Sequence, residues 1–185
     1  MSVLVLVAPG SEEIETVAIL DVLVRANIAV LLASCCPLGL RQIRASRGVQ
    51  LVADCHLDEL PQEEFEMIVV PGGLPGSECI RDNSRAIGLL REQAANGRWR
   101  AALCAAPAVV LLPHQLLGQA SVTCHPGFWA QIPAAQLRHE RVVIDKGARL
   151  VTSQGPGTAI EFALTLVQVL RGATAAEAVA GPMIL

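Results

Sequence analysis

Apolar and polar positions fall in alternating blocks along this chain. "VLVLVA" at 3–8 is an unbroken apolar run and predicts a strand buried on both faces. "SEEIETVAILDVLVRAN" at 11–27 predicts a helix whose acidic first turn suits the positive end of its dipole. "IAVLLASC" at 28–35 predicts a second strand, and "RASRGVQLVAD" at 44–54 a turn at Ser46–Gly48 followed by a strand. "MIVVPGG" at 67–73 predicts a short buried strand stopped by Pro-Gly-Gly. "NSRAIGLLREQAANG" at 83–97 predicts a helix with Asn83 as N-cap and Gly97 as its stop. In "RAALCAAPAVVLL" at 100–112, a strand ends at Leu103, a bend falls on Cys104, and a short helix follows over 105–112. "RVVIDKGARLVTS" at 141–153 predicts a hairpin turning at Asp145-Lys146-Gly147. "TAIEFALTLVQVLRG" at 158–172 predicts a helix with a Thr158/Glu161 capping box and Gly172 as terminator.

Strands and helices that alternate in this way predict an α/β fold: a mostly parallel open sheet with helices on both faces. No repeat, low-complexity tract or linker interrupts the pattern, so residues 1–185 read as one domain. Ligands of such sheets sit outside the carboxyl ends of the strands. Three stretches converge on that edge: Pro9-Gly10-Ser11, Pro71-Gly72-Gly73 and Cys104.

Composition narrows the picture. Over half of the 185 residues are apolar, but there are only two Trp, three Phe and no Tyr, so aliphatic side chains do the packing. A net charge of −3 without basic clusters argues against a specific nucleic-acid partner. The apolar start is brief and runs into acids, so it reads as neither a signal peptide nor a membrane span, and the cytoplasm is the default location. Six cysteines are expected to be thiols in a reducing compartment. No C-x-x-C occurs, and the adjacent pairs Cys55-His56 and Cys124-His125 do not have zinc-ligand spacing, so no metal is expected. "PGGLPG" and "QGPGT" lack the pattern of a phosphate cradle, and no cofactor is expected.

Cys104 is the candidate nucleophile. A tight strand-to-helix bend presents a side chain outward, and the N–H groups behind it lower a thiol pKa. The alternative reading is a small buried hydrophobe. Glu15 shares a helix face with Ile19 and Val22, which predicts a desolvated carboxyl with a raised pKa; Glu12 and Glu13 read as ordinary first-turn acids. If Glu15 meets Cys104, a protonated carboxyl donating to a thiolate is the stable arrangement. Gly72, Gly73 and the N–H of Ala105 are candidate oxyanion donors, although Pro71-Gly72-Gly73 also suits a plain turn. His125 is a candidate base or proton shuttle, or else a structural loop histidine; His56, His114 and His139 have less to recommend them.

Taken together, "APGSEEIETV", "IVVPGG", "ALCAAPAVVL" and "LVTSQGPGTAIEFAL" resemble the ThiJ/PfpI superfamily over nearly the whole chain, closest to its branch of DJ-one and YajL-type proteins. The resemblance implies a flavodoxin-like three-layer sandwich and a homodimer with the site near the subunit interface. It places the nucleophile at Cys104, the glutamate at Glu15, the oxyanion donors at Gly73 and Ala105, and the histidine at His125. It matches Arg25 and Arg47 to arginines of the dimer cleft. The implied activity is a cofactor-free glyoxalase or deglycase acting on methylglyoxal, glyoxal and their protein or nucleotide adducts. The alternative is a redox sensor or chaperone using the same cysteine. A second oxidation-prone cysteine of some relatives is replaced near Val52. Amidotransferase and peptidase chemistry are disfavoured, because no His-x-Glu pair exists and Ala105, not histidine, follows Cys104.

Overall fold

The computed structural model describes residues 2–61 and 63–185. Among the described residues, nine strands and five α-helices run in the order β1 (Ser2–Val7), α1 (Glu13–Arg25), β2 (Val30–Ser34), β3 (Gln42–Arg44), β4 (Gln50–Val52), β5 (Cys55–His56), β6 (Phe65–Val70), α2 (Leu74–Arg81), α3 (Ser84–Ala95), β7 (Trp99–Leu103), β8 (Val142–Asp145), β9 (Leu150–Ser153), α4 (Ala159–Arg171) and α5 (Ala173–Met183). Seven strands form one sheet in the order β5-β2-β1-β6-β7-β9-β8. Every neighbouring pair is parallel except β8 with β9. This is the flavodoxin-like order with a hairpin added at one edge.

The apolar runs explain the layers. Successive side chains of a strand point to opposite faces, so a continuous run feeds two cores. In β1, Leu4 and Leu6 enter one core with Ile80, Leu90 and Val110. Val3, Val5 and Val7 enter the other with Ile19, Phe162 and Leu166. Helices α2 and α3 cover the first face; α1, α4 and α5 cover the second.

Several boundaries depart from the pattern. The first helix spans Glu13–Arg25, because the Glu12 carboxylate accepts the Glu15 N–H at 2.8 Å and so caps it. Asn83 caps α3 by accepting from Arg85 N–H and Ala86 N–H. The capping box expected at Thr158 is absent. Its hydroxyl bonds instead to the Gly155 carbonyl and the Ser153 hydroxyl, and Glu161 pairs with Arg141. The predicted helix at 105–112 is a five-residue π turn, Pro107–Leu111, with Leu112 N–H donating to the Pro107 carbonyl. The turn at Ser46–Gly48 joins two strands, β3 and β4, in a small antiparallel sheet of its own. Helix α2 leaves little periodic signal: it is eight residues long and carries Pro75 and Gly76.

Candidate active site

The strand order reverses beside β1, since β2 lies on one side of it and β6 on the other. A crevice opens at such a switch point. The turns after β1 and β6 are tied together there, with Glu12 N–H donating to the Gly72 carbonyl at 3.0 Å. Cys104 follows β7, the next strand over, and arrives at the same edge.

Cys104 has φ +62°, a left-handed conformation that costs a non-glycine residue about 1–2 kcal/mol. The backbone is held there from both sides. Its N–H donates to the Ser153 carbonyl at 3.0 Å, and its carbonyl accepts from His125 N–H at 2.8 Å. The strained bend aims the sulfur into a cavity of about 510 Å³, shared with Gly10, Arg47, Gly73, Ala105, His125 and Phe128. The N–H groups of Gly73 and Ala105 both reach the sulfur.

Glu15 lies on the buried face of α1 and has no solvent exposure. Its Oε2 accepts from Gly72 N–H at 2.6 Å, and its carboxyl is in hydrogen-bond contact with the Cys104 thiol. Among the described residues Oε1 is buried without a hydrogen-bond partner. Gly72 is a glycine by necessity. A Cβ there would lie 2.5 Å from the Cys104 Cβ and 2.8 Å from Glu15 Oε2. Gly73 has φ +85°, and a Cβ on it would overlap the Gly10 carbonyl.

Burial is the largest influence on both groups. It raises the Glu15 pKa to about 7, against the Gly72 N–H and the thiol that favour its anion. Burial and then the Glu15 charge raise Cys104 to about 12, against the Gly73 and Ala105 N–H groups. The lowered thiol pKa expected from the sequence is therefore overturned. Cys104 is partly buried beside the Glu15 carboxyl, and the π turn behind it is too short to act as a full helix dipole. Each group raises the cost of charging the other, so the pair titrates as a unit and burial disfavours its second ionisation. Once the first proton is lost, carboxyl and thiol share the one that remains, and the thiolate form faces three donors: Glu15 O–H, Gly73 N–H and Ala105 N–H.

Other predicted residues are placed as follows. Gly72 does not supply an oxyanion donor, because its N–H is already committed to Glu15. His125 lines the cavity, and its Nδ1 accepts from Gly127 N–H at 3.1 Å, which leaves Nε2 for exchange with a ligand. Arg47 lines the cavity. Arg25 sits at the far end of α1, paired with Asp21. Glu13 is not an ordinary first-turn acid. Its carboxylate accepts from the Ser46 hydroxyl and from the N–H groups of Arg47 and Val49, and so fixes the tip of the β3–β4 hairpin. Burial works to raise its pKa, but those donors outweigh it and hold the carboxyl below its usual range. Only its place next to Glu12 and Glu15 was visible in the sequence. Arg44 and Phe128 also line the cavity without having been singled out. Among the described residues, no group of three His, Cys, Asp or Glu side chains is placed to hold a metal ion, and no helix is long and apolar enough to cross a membrane.

Known proteins share the sequence pattern and the fold. The chain is 41% identical over 171 residues to Protein DJ-1 homolog B of Arabidopsis thaliana, matching 92% of this chain and 38% of that longer protein. It is 34% identical over 187 residues to a Caenorhabditis elegans protein named glutathione-independent glyoxalase DJR-1.2, covering 100% of this chain and 96% of the relative. The structure of oxidized Toxoplasma gondii DJ-1 superposes with a TM-score of 0.95 at 40% identity, over 99% of this chain and 97% of that one. Residues 1–169 match the model of the DJ-1/PfpI family, and the chain belongs to that family.

Proposed function

We propose that this protein is a cysteine-dependent, cofactor-free glyoxalase or deglycase that detoxifies methylglyoxal, glyoxal and their adducts on proteins or nucleotides. The observation that carries this reading is Cys104, strained into a left-handed bend, with two N–H groups and one carboxyl around its sulfur. The name of the nematode relative supports the same chemistry.

The proton shared with Glu15 lets Cys104 react as a thiolate without a second buried charge. The sulfur adds to the aldehyde carbon, and the C=O π pair moves onto oxygen. Gly73 and Ala105 N–H groups, already aimed at this spot, stabilise that oxyanion, and the Glu15 proton neutralises it. A base, Glu15 or His125, then moves the proton from the aldehyde carbon toward the neighbouring ketone. The aldehyde carbon is oxidised to a thioester as the ketone is reduced to an alcohol, so electrons balance within the substrate. Water releases the hydroxy acid and restores the thiol; methylglyoxal plus water gives lactate. With a carbinolamine adduct the sulfur displaces the nitrogen at the former aldehyde carbon: a C–S bond forms, the C–N bond breaks, the amine or guanidine leaves with the Glu15 proton, and the same hemithioacetal results.

The test is lactate formation from methylglyoxal without glutathione. Wild-type protein forms it and Cys104→Ser does not; equal rates would remove the reading. A second use of the site is redox sensing, supported by the oxidized state of the Toxoplasma relative. Hydrogen peroxide would convert the thiolate to sulfenic and then sulfinic acid, each step reducing one peroxide to water. Mass gain confined to the Cys104 peptide checks it.

We also infer a homodimer in a reducing compartment such as the cytoplasm. Helix α1 exposes Ile14, Val17 and Val24, and Val49 of the neighbouring hairpin is exposed as well. An apolar stripe of this kind suits a second copy. Arg25, at the end of that helix, would reach the cleft only across such an interface. Sedimentation should give twice 19.5 kDa, and Val17→Asp should give monomers.

A further inference from the structure

The cavity at Cys104 is larger than its proposed chemistry needs. At about 510 Å³ it falls in the range that holds drug-sized ligands, so a three-carbon aldehyde leaves most of it empty. Two arginines, Arg44 and Arg47, line the remainder. Among the described residues neither pairs with a carboxylate, whereas Arg41, just before β3, pairs with Glu59. The cavity's one lining acid, Glu12, directs its carboxylate to the Glu15 N–H at the start of α1.

The turn that carries these arginines is pinned in place. Gly10 N–H donates to the Arg44 carbonyl at 2.8 Å, and Ser46 N–H donates to the Ser11 carbonyl at 2.8 Å. Glu13 holds the Ser46 hydroxyl and the Arg47 N–H. The Arg44 guanidinium lies over Gly48, where a Cβ would be 3.6 Å from its Nη2. The backbone that carries both arginines is therefore fixed relative to the sulfur, and their exposed side chains border the cavity beside apolar walls such as Phe128 and Leu74 that concentrate the field.

We propose that the Arg44/Arg47 turn selects carbonyl compounds that bear an anionic group, a carboxylate or a phosphate, and orients their carbonyl carbon at Cys104. This rests on the cysteine-dependent reading above and names the substrate class of that site. Glu13 is the positioning residue of the turn.

The test compares alkylation of Cys104 by iodoacetate, an anion, and by iodoacetamide, its neutral counterpart. Rates are read by mass from the Cys104 peptide of the intact folded protein. Both reagents draw on the same thiolate, so their ratio cancels thiol reactivity and reports charge at the cavity. The ratio should fall about fivefold in Arg44→Gln/Arg47→Gln at low salt, persist in Arg44→Lys/Arg47→Lys, and shrink in wild type at high salt. Arg85→Gln/Arg91→Gln, on α3, controls for net charge and should leave the ratio unchanged. Glu13→Ala should lower the ratio although it removes a negative charge from the turn, because the arginines lose their anchor; a raised ratio would remove Glu13 as the positioning residue. A ratio unchanged by the glutamine pair overturns the proposal.

Turnover provides a second reading. Wild type should prefer 4,5-dioxopentanoate or hydroxypyruvaldehyde phosphate over methylglyoxal in kcat/KM, and the glutamine pair should lose the preference through KM. The anion with the larger gain identifies the source. If no aldehyde is turned over, the glyoxalase reading falls, while the alkylation ratio still decides this one.

Discussion

Cys35 and Cys104 occupy the same kind of position, the first residue beyond a buried parallel strand, β2 in one case and β7 in the other. Their environments have little else in common. Cys35 has no solvent exposure, packs among Ala33, Ile80 and other core side chains, and donates its N–H to the Val7 carbonyl. Burial pushes its thiol pKa upward, with Cys79 and Asp58 adding to the shift, and no N–H group opposes it. Cys104 is also raised by burial, but two N–H groups and a carboxyl with a mobile proton converge on its sulfur. A strand end makes a cysteine buried. A left-handed bend with donors behind it makes one useful.

The largest expected contrast is catalytic. Cys104→Ser should reduce methylglyoxal turnover on the order of a thousandfold or more, and Cys35→Ala should leave it within about threefold. Parallel assays of the two variants check this; a comparable loss in both would erase the distinction.

The next contrast is in stability against pH. Glu15 rises from 4.5 unfolded to about 7 folded, so the folded state holds the extra proton between those values. Stability therefore falls as pH rises from about 4.5 through about 7, and then levels. The shift corresponds to about 3 kcal/mol. Glu15→Gln removes this slope. Its urea midpoint relative to wild type should climb across that window, while turnover falls about tenfold or more for want of the proton.

Gly72→Ala should cost about 1–3 kcal/mol, because its methyl group would occupy space held by Cys104 and Glu15. The variant should also lose the shared titration, seen as a single-group pH profile of Cys104 alkylation. The smallest effect concerns the bend itself. Cys104→Gly should be more stable than Cys104→Ala by about 1 kcal/mol, because only glycine adopts φ +62° without strain. At Cys35 the order should reverse, and thermal denaturation of the four variants checks both halves.

Much of this was legible in the sequence. The runs at 3–8, 67–70 and 100–103 could be placed on buried strands because both their faces are apolar, and Glu15 because it shares a face with Ile19 and Val22. Helix α2 was not, since Pro75 and Gly76 erase periodicity in eight residues and tertiary contacts hold it instead. The role of Gly72 was misassigned between two readings that look alike in sequence. A glycine needed for close approach and a glycine lending its N–H to an oxyanion differ only in what stands opposite. The thiol pKa was misread because spacing shows the N–H groups behind Cys104 but not the depth at which Glu15 meets it. Glu13 escaped because its partners, Ser46 to Val49, lie more than thirty residues away.

The β3–β4 hairpin stands apart from the seven-stranded sheet and touches the cavity only through its tip. On the proposal above, the reacting sulfur and the charge that selects its substrates reside on separate pieces of chain. The hairpin is nonetheless anchored: Ile43 packs in the core, and the turn is bonded to Gly10 and Ser11 beside the site. Exchanging the exposed side chains at its tip would therefore redraw what is admitted, whereas exchanging the backbone that carries them would disturb the cavity wall.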